Sequence, residues 1–275
     1  MPAISTLAPA KINLSLRMVG KREDGYHLLE SLVVFADIGD KISVEPAKEL
    51  SLEISGEFAQ ELTEENIILK AARALQAKTQ HKDGAKIKLE KNLPVGAGLG
   101  GGSSDAATTL KLLAKLWDIE TDIFQLALPL GADIPVCLYG KTCQMSGIGE
   151  IISPAEFPPM AILLVNPKIN LSTAEVFKNF ALKPSPSGRG LGEGTMSNKE
   201  RILTPYNDLQ PTAIKLCPSI AEILTALNEH SNIAQMSGSG ATCFALFDQY
   251  AQAQKAAQKL QTNHPDWWIS LANIL

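Results

Sequence analysis

Leu93-Pro94-Val95-Gly96-Ala97-Gly98-Leu99-Gly100-Gly101-Gly102-Ser103-Ser104-Asp105-Ala106-Ala107 is the stretch around which the chain is organised. Five glycines fall within seven positions, and apolar residues follow at Ala106, Leu110, Leu113 and Trp117, the i, i+4, i+7, i+11 spacing of one helix face. Ser103 or Ser104 is the expected N-cap of that helix, whose first-turn amides lack internal partners. Glycines let a chain take positive φ and bring bare N–H groups against a ligand. A glycine loop running into a helix N-terminus therefore predicts an anion site, and phosphate is the commonest such anion.

The rest of the 275 residues bounds what that site can serve. The length allows one large domain or two medium ones. An apolar content of 45% and a charged content of 20% fit a globular protein. A net charge of −4 argues against a nucleic-acid partner, which is usually met by a basic surface. A polyphosphate ligand would then be held by local amides and a few cations. Cys137, Cys143, Cys217 and Cys243 have no metal-ligand spacing and read as buried free thiols in a reducing compartment. No apolar run reaches the ~18 residues of a membrane span. The start of the chain lacks a signal-peptide pattern, so the expected location is the cytoplasm.

Residues 10–19 alternate, with Ile12, Leu14, Leu16 and Met18 on one face and Lys11, Asn13, Ser15 and Arg17 on the other, as in a β-strand. A turn at Asp24-Gly25-Tyr26-His27 leads into a second strand over 28–38, and 41–45 and 50–54 read as short paired strands. Thr63-Glu64-Glu65-Asn66 announces a helix over 67–77, and a strand over 85–89 delivers the chain to the glycine loop. Later, 122–130 and 214–227 are expected helices and 243–247 an expected strand. Residues 183–201, rich in Pro, Gly and Ser, read as a mobile surface insertion. Strands and helices mix without strict alternation, which indicates α+β layers, and the prolines at 154, 158 and 159 suggest a boundary near 155.

The loop is not a P-loop, because GxxxxGK[ST] demands a lysine and none lies between Lys91 and Lys111. The Rossmann fingerprint also fails, and the catalytic loop and DFG of a protein kinase are absent. The residues alone therefore give a nucleotide or polyphosphate site of another type. Pro9-Ala10-Lys11-Ile12-Asn13-Leu14, the Pro94 to Ser104 run and Ser237-Gly238-Ser239-Gly240-Ala241-Thr242 resemble, in order and spacing, the three motifs of the GHMP kinase superfamily. The Asp24-Gly25-Tyr26-His27 turn, the GLGGGSSDAA form of the loop and Gly131-Ala132-Asp133-Ile134-Pro135 are similar to one branch of it. That branch phosphorylates the 2-hydroxyl of a methylerythritol unit carrying a cytidine diphosphate, in the non-mevalonate route to isoprenoid precursors.

The resemblance implies a two-domain α+β fold, an N-terminal ATP-binding domain (1–155) like the second domain of ribosomal protein S5 and a ferredoxin-like C-terminal domain (156–275). ATP is the implied phosphoryl donor, with Mg²⁺ accompanying it although no carboxylate pair marks protein ligands. A small alcohol is the implied acceptor. The loop residues Pro94, Val95, Gly96, Ala97, Gly98, Leu99, Gly100, Gly101, Gly102, Ser103 and Ser104 would hold ATP. Asp133 would be general base for the substrate hydroxyl, and Lys11 would pair with it and stabilise charge on the transferring group. Asn13, on the strand face of Lys11, would hydrogen-bond substrate. Tyr26 and His27 suit a cytosine through stacking and hydrogen bonds, with Phe177 as the opposing ring. Asp105 complements the helix dipole, yet it falls close to a polyanionic nucleotide, and whether it points away or binds a cation is left open. A homoserine- or mevalonate-type kinase is a second reading, against which Tyr26-His27 argues; a non-catalytic nucleotide-binding regulator is a third, against which the retention of Lys11 and Asp133 argues.

Overall fold

A computed structural model describes residues 3–62, 66–181 and 206–275, so the 183–201 insertion and Thr63–Glu65 lie outside the described residues. By packing, the chain divides into two compact units made of non-consecutive segments. One comprises Met1–Lys11, Phe35–Val95 and Leu99–Lys141; the other comprises Ile12–Val34, Gly96–Gly98 and Thr142–Leu275. Strands β1 (Ile4–Asn13) and β3 (His27–Ala47) each contribute to both.

In the first unit, the later part of β3 pairs antiparallel with β5 (Gly84–Glu90), from Lys41 opposite Glu90 to Ala47 opposite Gly84. The expected hairpin of 41–45 with 50–54 is not formed. Strand β4 (Ser51–Ser55) instead joins the far side of β5 in parallel, so β5 lies between the two segments. Two adjacent alternating segments look like a hairpin from local pattern, but β5 takes the pairing edge of each. Helices α1 (Ile67–Thr79), α2 (Gly101–Leu116), α3 (Phe124–Leu130) and α4 (Ile134–Tyr139) complete the unit, with α2 packed on α1 and α4. Asn66 caps α1 by accepting from the Ile68 amide at 2.9 Å. The predicted face of α2 is the buried one: Ala106, Leu110 and Leu113 are fully enclosed.

In the second unit, β2 (Ser15–Lys21) and β6 (Cys143–Gly147) both pair antiparallel with the first part of β3, and β7 (Ile151–Pro154) adds to β6. Strand β9 (Tyr206–Asn207) joins β2 in parallel. A separate antiparallel sheet has the order β10-β11-β8-β12, formed by Ala234–Met236, Cys243–Phe247, Ala161–Asn166 and Trp268–Asn273. Its two central strands are buried throughout, as their unbroken apolar runs require. Helices α5 (Thr173–Asn179), α6 (Gln210–Leu216), α7 (Ser219–Asn228) and α8 (Tyr250–Asn263) belong to the same unit. The single helix expected over 214–227 is two helices, separated at Cys217-Pro218 because proline supplies no amide to a continuing ladder. All four cysteines are buried, and none is in a disulfide.

Candidate active site

Gly96, Gly98 and Gly100 hold φ values of +63°, +74° and +61°, a region where a side chain is strained. Gly100, not Ser103 or Ser104, is the N-cap of α2; its left-handed backbone makes the turn, and the Ser104 amide donates to the Gly100 carbonyl at 2.8 Å. Both serines therefore lie within the first turn, with Ser104 buried. Gly100 has no side chain with which to cap α2, and an uncapped helix start is a position where backbone amides can meet an anion.

Lys11 connects this helix start to Asp133. Its amide donates to the Leu99 carbonyl at 2.9 Å, and its aliphatic stem lies against Gly100, where an added Cβ would meet Lys11 Cε at 2.9 Å. Its ammonium reaches Asp133 Oδ2 at 2.8 Å. The Lys11 side chain is only 4% exposed while that of Asp133 is 36% exposed, so the carboxylate stays open to solvent on one side. Asp133 starts α4 through its carbonyl, which accepts from the Cys137 amide, and its carboxylate makes no capping bond. A buried cation, a half-open carboxylate and a bare helix N-terminus are thus assembled within one unit.

In the second unit the middle of the loop rests on the Ser237–Thr242 turn. Ser237 Oγ donates to the Gly98 carbonyl at 2.8 Å, and the Thr242 amide donates to the Ala97 carbonyl at 3.1 Å. A Cβ on Gly98 would fall 2.4 Å from the Ser237 carbonyl oxygen. Asn13 is buried; its amide donates to Ser237 Oγ at 3.1 Å and its Nδ2 to Ser31 Oγ at 2.7 Å. The Tyr26-His27 turn presents an exposed tyrosine and a half-buried histidine ring. His27 lies 5.5 Å from the Phe177 ring and 5.8 Å from the Phe180 ring, so the two phenylalanines flank one imidazole. Burial, and then the charge of Lys21, hold His27 below the usual histidine range, which keeps it neutral at pH 7 and able to both donate and accept.

Comparison with known proteins meets this geometry. The descriptions "GHMP kinases N terminal domain" and "GHMP kinases C terminal" match residues 66–141 and 189–266. A 4-diphosphocytidyl-2-C-methyl-D-erythritol kinase of Paramagnetospirillum magneticum is 46% identical over the full length of both chains. The chain belongs to the 4-diphosphocytidyl-2-C-methyl-D-erythritol kinase family, within the GHMP kinases. A crystal structure of a 4-(cytidine 5'-diphospho)-2C-methyl-D-erythritol kinase superposes with a TM-score of 0.81 at 33% identity, covering 98% of this chain and 99% of that one. The homoserine kinase of Cytophaga hutchinsonii gives 0.69 at 13% identity, covering 100% and 95%, a likeness of fold alone.

Sequence reasoning about this GHMP kinase misses two residues, Asp40 on β3 and Lys91 just after β5. Lys91 pairs with Asp40 and, at 2.9 Å, with Asp105 Oδ2, and all three are buried. That answers the question left by Asp105, which turns inward onto Lys91 and is the fifth residue of α2. Nothing local marks Asp40 or Lys91, since isolated charges in strand patterns ordinarily face water. The one usable signal is Asp105 itself, a charge set immediately before a run of buried alanines.

Proposed function

We propose that the chain transfers the γ-phosphoryl group of ATP to the 2-hydroxyl of 4-diphosphocytidyl-2-C-methyl-D-erythritol, giving the 2-phosphate and ADP, in the non-mevalonate route to isoprenoid precursors. The reading is carried by the Lys11–Asp133 pair, closed at 2.8 Å beside the start of α2. Asp133 accepts the hydroxyl proton as the hydroxyl oxygen bonds to the γ-phosphorus, and the bond from that phosphorus to the β,γ-bridging oxygen breaks to release ADP. Lys11, fixed by burial, offsets the charge on the transferring group. Loop residues 94–104 hold the phosphates through backbone amides, with Ser103 and Ser104 in the first helical turn. His27 contacts the cytosine edge and Phe177 its face, with Tyr26 at the rim and Asn13 as a further substrate contact. Domains at 1–155 and 156–275 are our division by chain order.

Mg²⁺ is proposed to arrive on the nucleotide, where it neutralises phosphate charge. Among the described residues no group of three or more His, Cys, Asp or Glu could hold a metal ion, and Asp105 is committed to Lys91. Among the described residues no helix is long and apolar enough to cross a membrane; a cytoplasmic location is proposed with the pathway. Turnover of ATP against a panel of alcohols tests the reading. Phosphate should pass to the diphosphocytidyl compound; transfer to homoserine or mevalonate with none to that compound would overturn it.

A further inference from the structure

Asp40, Lys91 and Asp105 tie the two ends of the glycine loop to one buried point, all within the first unit. Ahead of the loop, Asp40 Oδ1 accepts the Asn92 amide at 2.6 Å and the Leu93 amide at 2.9 Å. Asp40 Oδ2 accepts from Lys91 Nζ, which also donates to Asp105 Oδ2, one turn into the helix behind the loop. Lys91 is itself anchored by its backbone: its amide donates to the Ser55 carbonyl at 2.7 Å, and its carbonyl accepts from the Phe58 amide at 3.1 Å. The helix start lies directly on the cluster, for a Cβ on Gly101 would come within 3.1 Å of Lys91 Nζ and 3.6 Å of Asp40 Oδ2.

This arrangement is a poor device for stability alone. The three side chains are 3%, 0% and 3% exposed, and taking ions out of water costs several kcal/mol each unless geometry repays it. Two carboxylates also share one ammonium, which leaves a buried negative excess. Asp105 Oδ1 is buried and accepts no hydrogen bond among the described residues. Burial pushes the Asp105 carboxyl up to about 7; Lys91 opposes this and the charge of Asp40 adds to it. A neutral apolar filling would hold the helix against the sheet as well. What it would not do is link the Asn92 and Leu93 amides, held by Asp40 Oδ1, through Asp40 Oδ2 and Lys91 Nζ to Asp105 in the first turns of α2.

We propose that Asp40, Lys91 and Asp105 are positioning residues for ATP, holding the start and end of the glycine loop at the separation its phosphate-binding amides require. The proposal rests on the reading of the loop as the phosphate cradle, and it goes beyond that reading by assigning the cradle's geometry to side chains that do not touch ATP. The charge balance makes the two contributions separable. Asp105→Ala leaves a neutral Lys91–Asp40 pair and a better helix former, so the variant should fold. Electrostatics alone would make it bind the ATP anion more tightly, because a negative charge has gone. A positioning role requires weaker binding.

The test is the Kd for ATP, by titration of the full-length chain, together with KM for the alcohol substrate. Asp105→Ala should weaken ATP about ten-fold, the scale expected for losing a hydrogen bond to a charged group, and Asp105→Asn, which keeps an acceptor for Lys91, should restore the wild-type Kd to within about two-fold. Asp40→Ala and Asp40→Asn should behave as a second such pair, through the amides of Asn92 and Leu93. KM for the alcohol should stay within about two-fold in all four. Gly102→Glu controls for the underlying reading: a side chain fits there, its nearest neighbour being Ile67 Cγ2 at 3.7 Å, and a new anion in the first turn should weaken ATP strongly. If Gly102→Glu weakens ATP while both alanine variants bind it as tightly as wild type or more so, the positioning role is overturned and the cradle stands. If Gly102→Glu binds ATP normally, the cradle reading falls and the proposal with it.

Discussion

Lys11 and Asn13 occupy the strand face that alternation assigns to water, yet both are buried. Burying a lysine is costly unless it is paired, and Asp133 supplies the pair that the proposed phosphoryl transfer uses. The aromatic cluster at His27 is legible in part from a ring and an imidazole adjacent on a turn, although Phe180 as a second neighbour of His27 is visible only in the fold. Phe177→Ala should raise KM for the diphosphocytidyl alcohol about ten-fold, in the range for loss of a base-stacking ring, with kcat changed much less; steady-state kinetics with that substrate would show it, and an unchanged KM would remove Phe177 from the base site. Asp105 gives a pH prediction. Its carboxyl is raised from near 3.8 to about 7 in the folded chain, so the folded state keeps a proton that the unfolded state releases across that window. Its contribution to stability therefore falls as pH rises from about 4 to about 7 and is level above that. Asp105→Asn should flatten this slope in urea unfolding midpoints measured across the window, and an unaltered slope would contradict the assignment.

At the scale of elements, pattern is reliable where one residue's neighbours decide its state and fails where a distant strand does. The helix behind the loop, the buried runs of β8 and β11 and the Asn66 cap follow from periodicity and capping chemistry. The 21-residue length of β3, the capture of β4 by β5, and the short α4 that carries Asp133 do not, because each depends on pairing or packing partners far along the chain. The N-cap is a subtler failure: serine is the commoner capping residue, but the left-handed backbone at Gly100 already turns the chain. The glycine loop is shaped by contact as much as by flexibility. Gly98→Ala should cost about 2 kcal/mol or more, from its positive φ and from the Ser237 carbonyl that meets the new methyl group. A lowered Tm with weaker ATP binding is the expected result, and a Tm equal to wild type would show that the loop yields where the packing says it cannot.

For the whole molecule, chain order and physical unit differ. Residues 12–34 and 96–98 belong with 142–275, so each unit is assembled from segments far apart in the chain. Residues 183–201 are rich in Pro, Gly and Ser, and their deletion should leave kcat within about two-fold in the purified enzyme; a large loss would make that segment part of the site. The family and the α+β class were legible from three ordered motifs, while the buried Asp40–Lys91–Asp105 cluster was not, since burial of a charge has no local signature. In the proposed reaction Asp133, held by Lys11, takes the proton of the accepting hydroxyl. Single-turnover transfer from ATP to 4-diphosphocytidyl-2-C-methyl-D-erythritol by wild type and Asp133→Asn tests it most directly. The rate should be at least ~10²-fold slower in the variant with ATP affinity retained; an equal rate would remove Asp133 from the role of base.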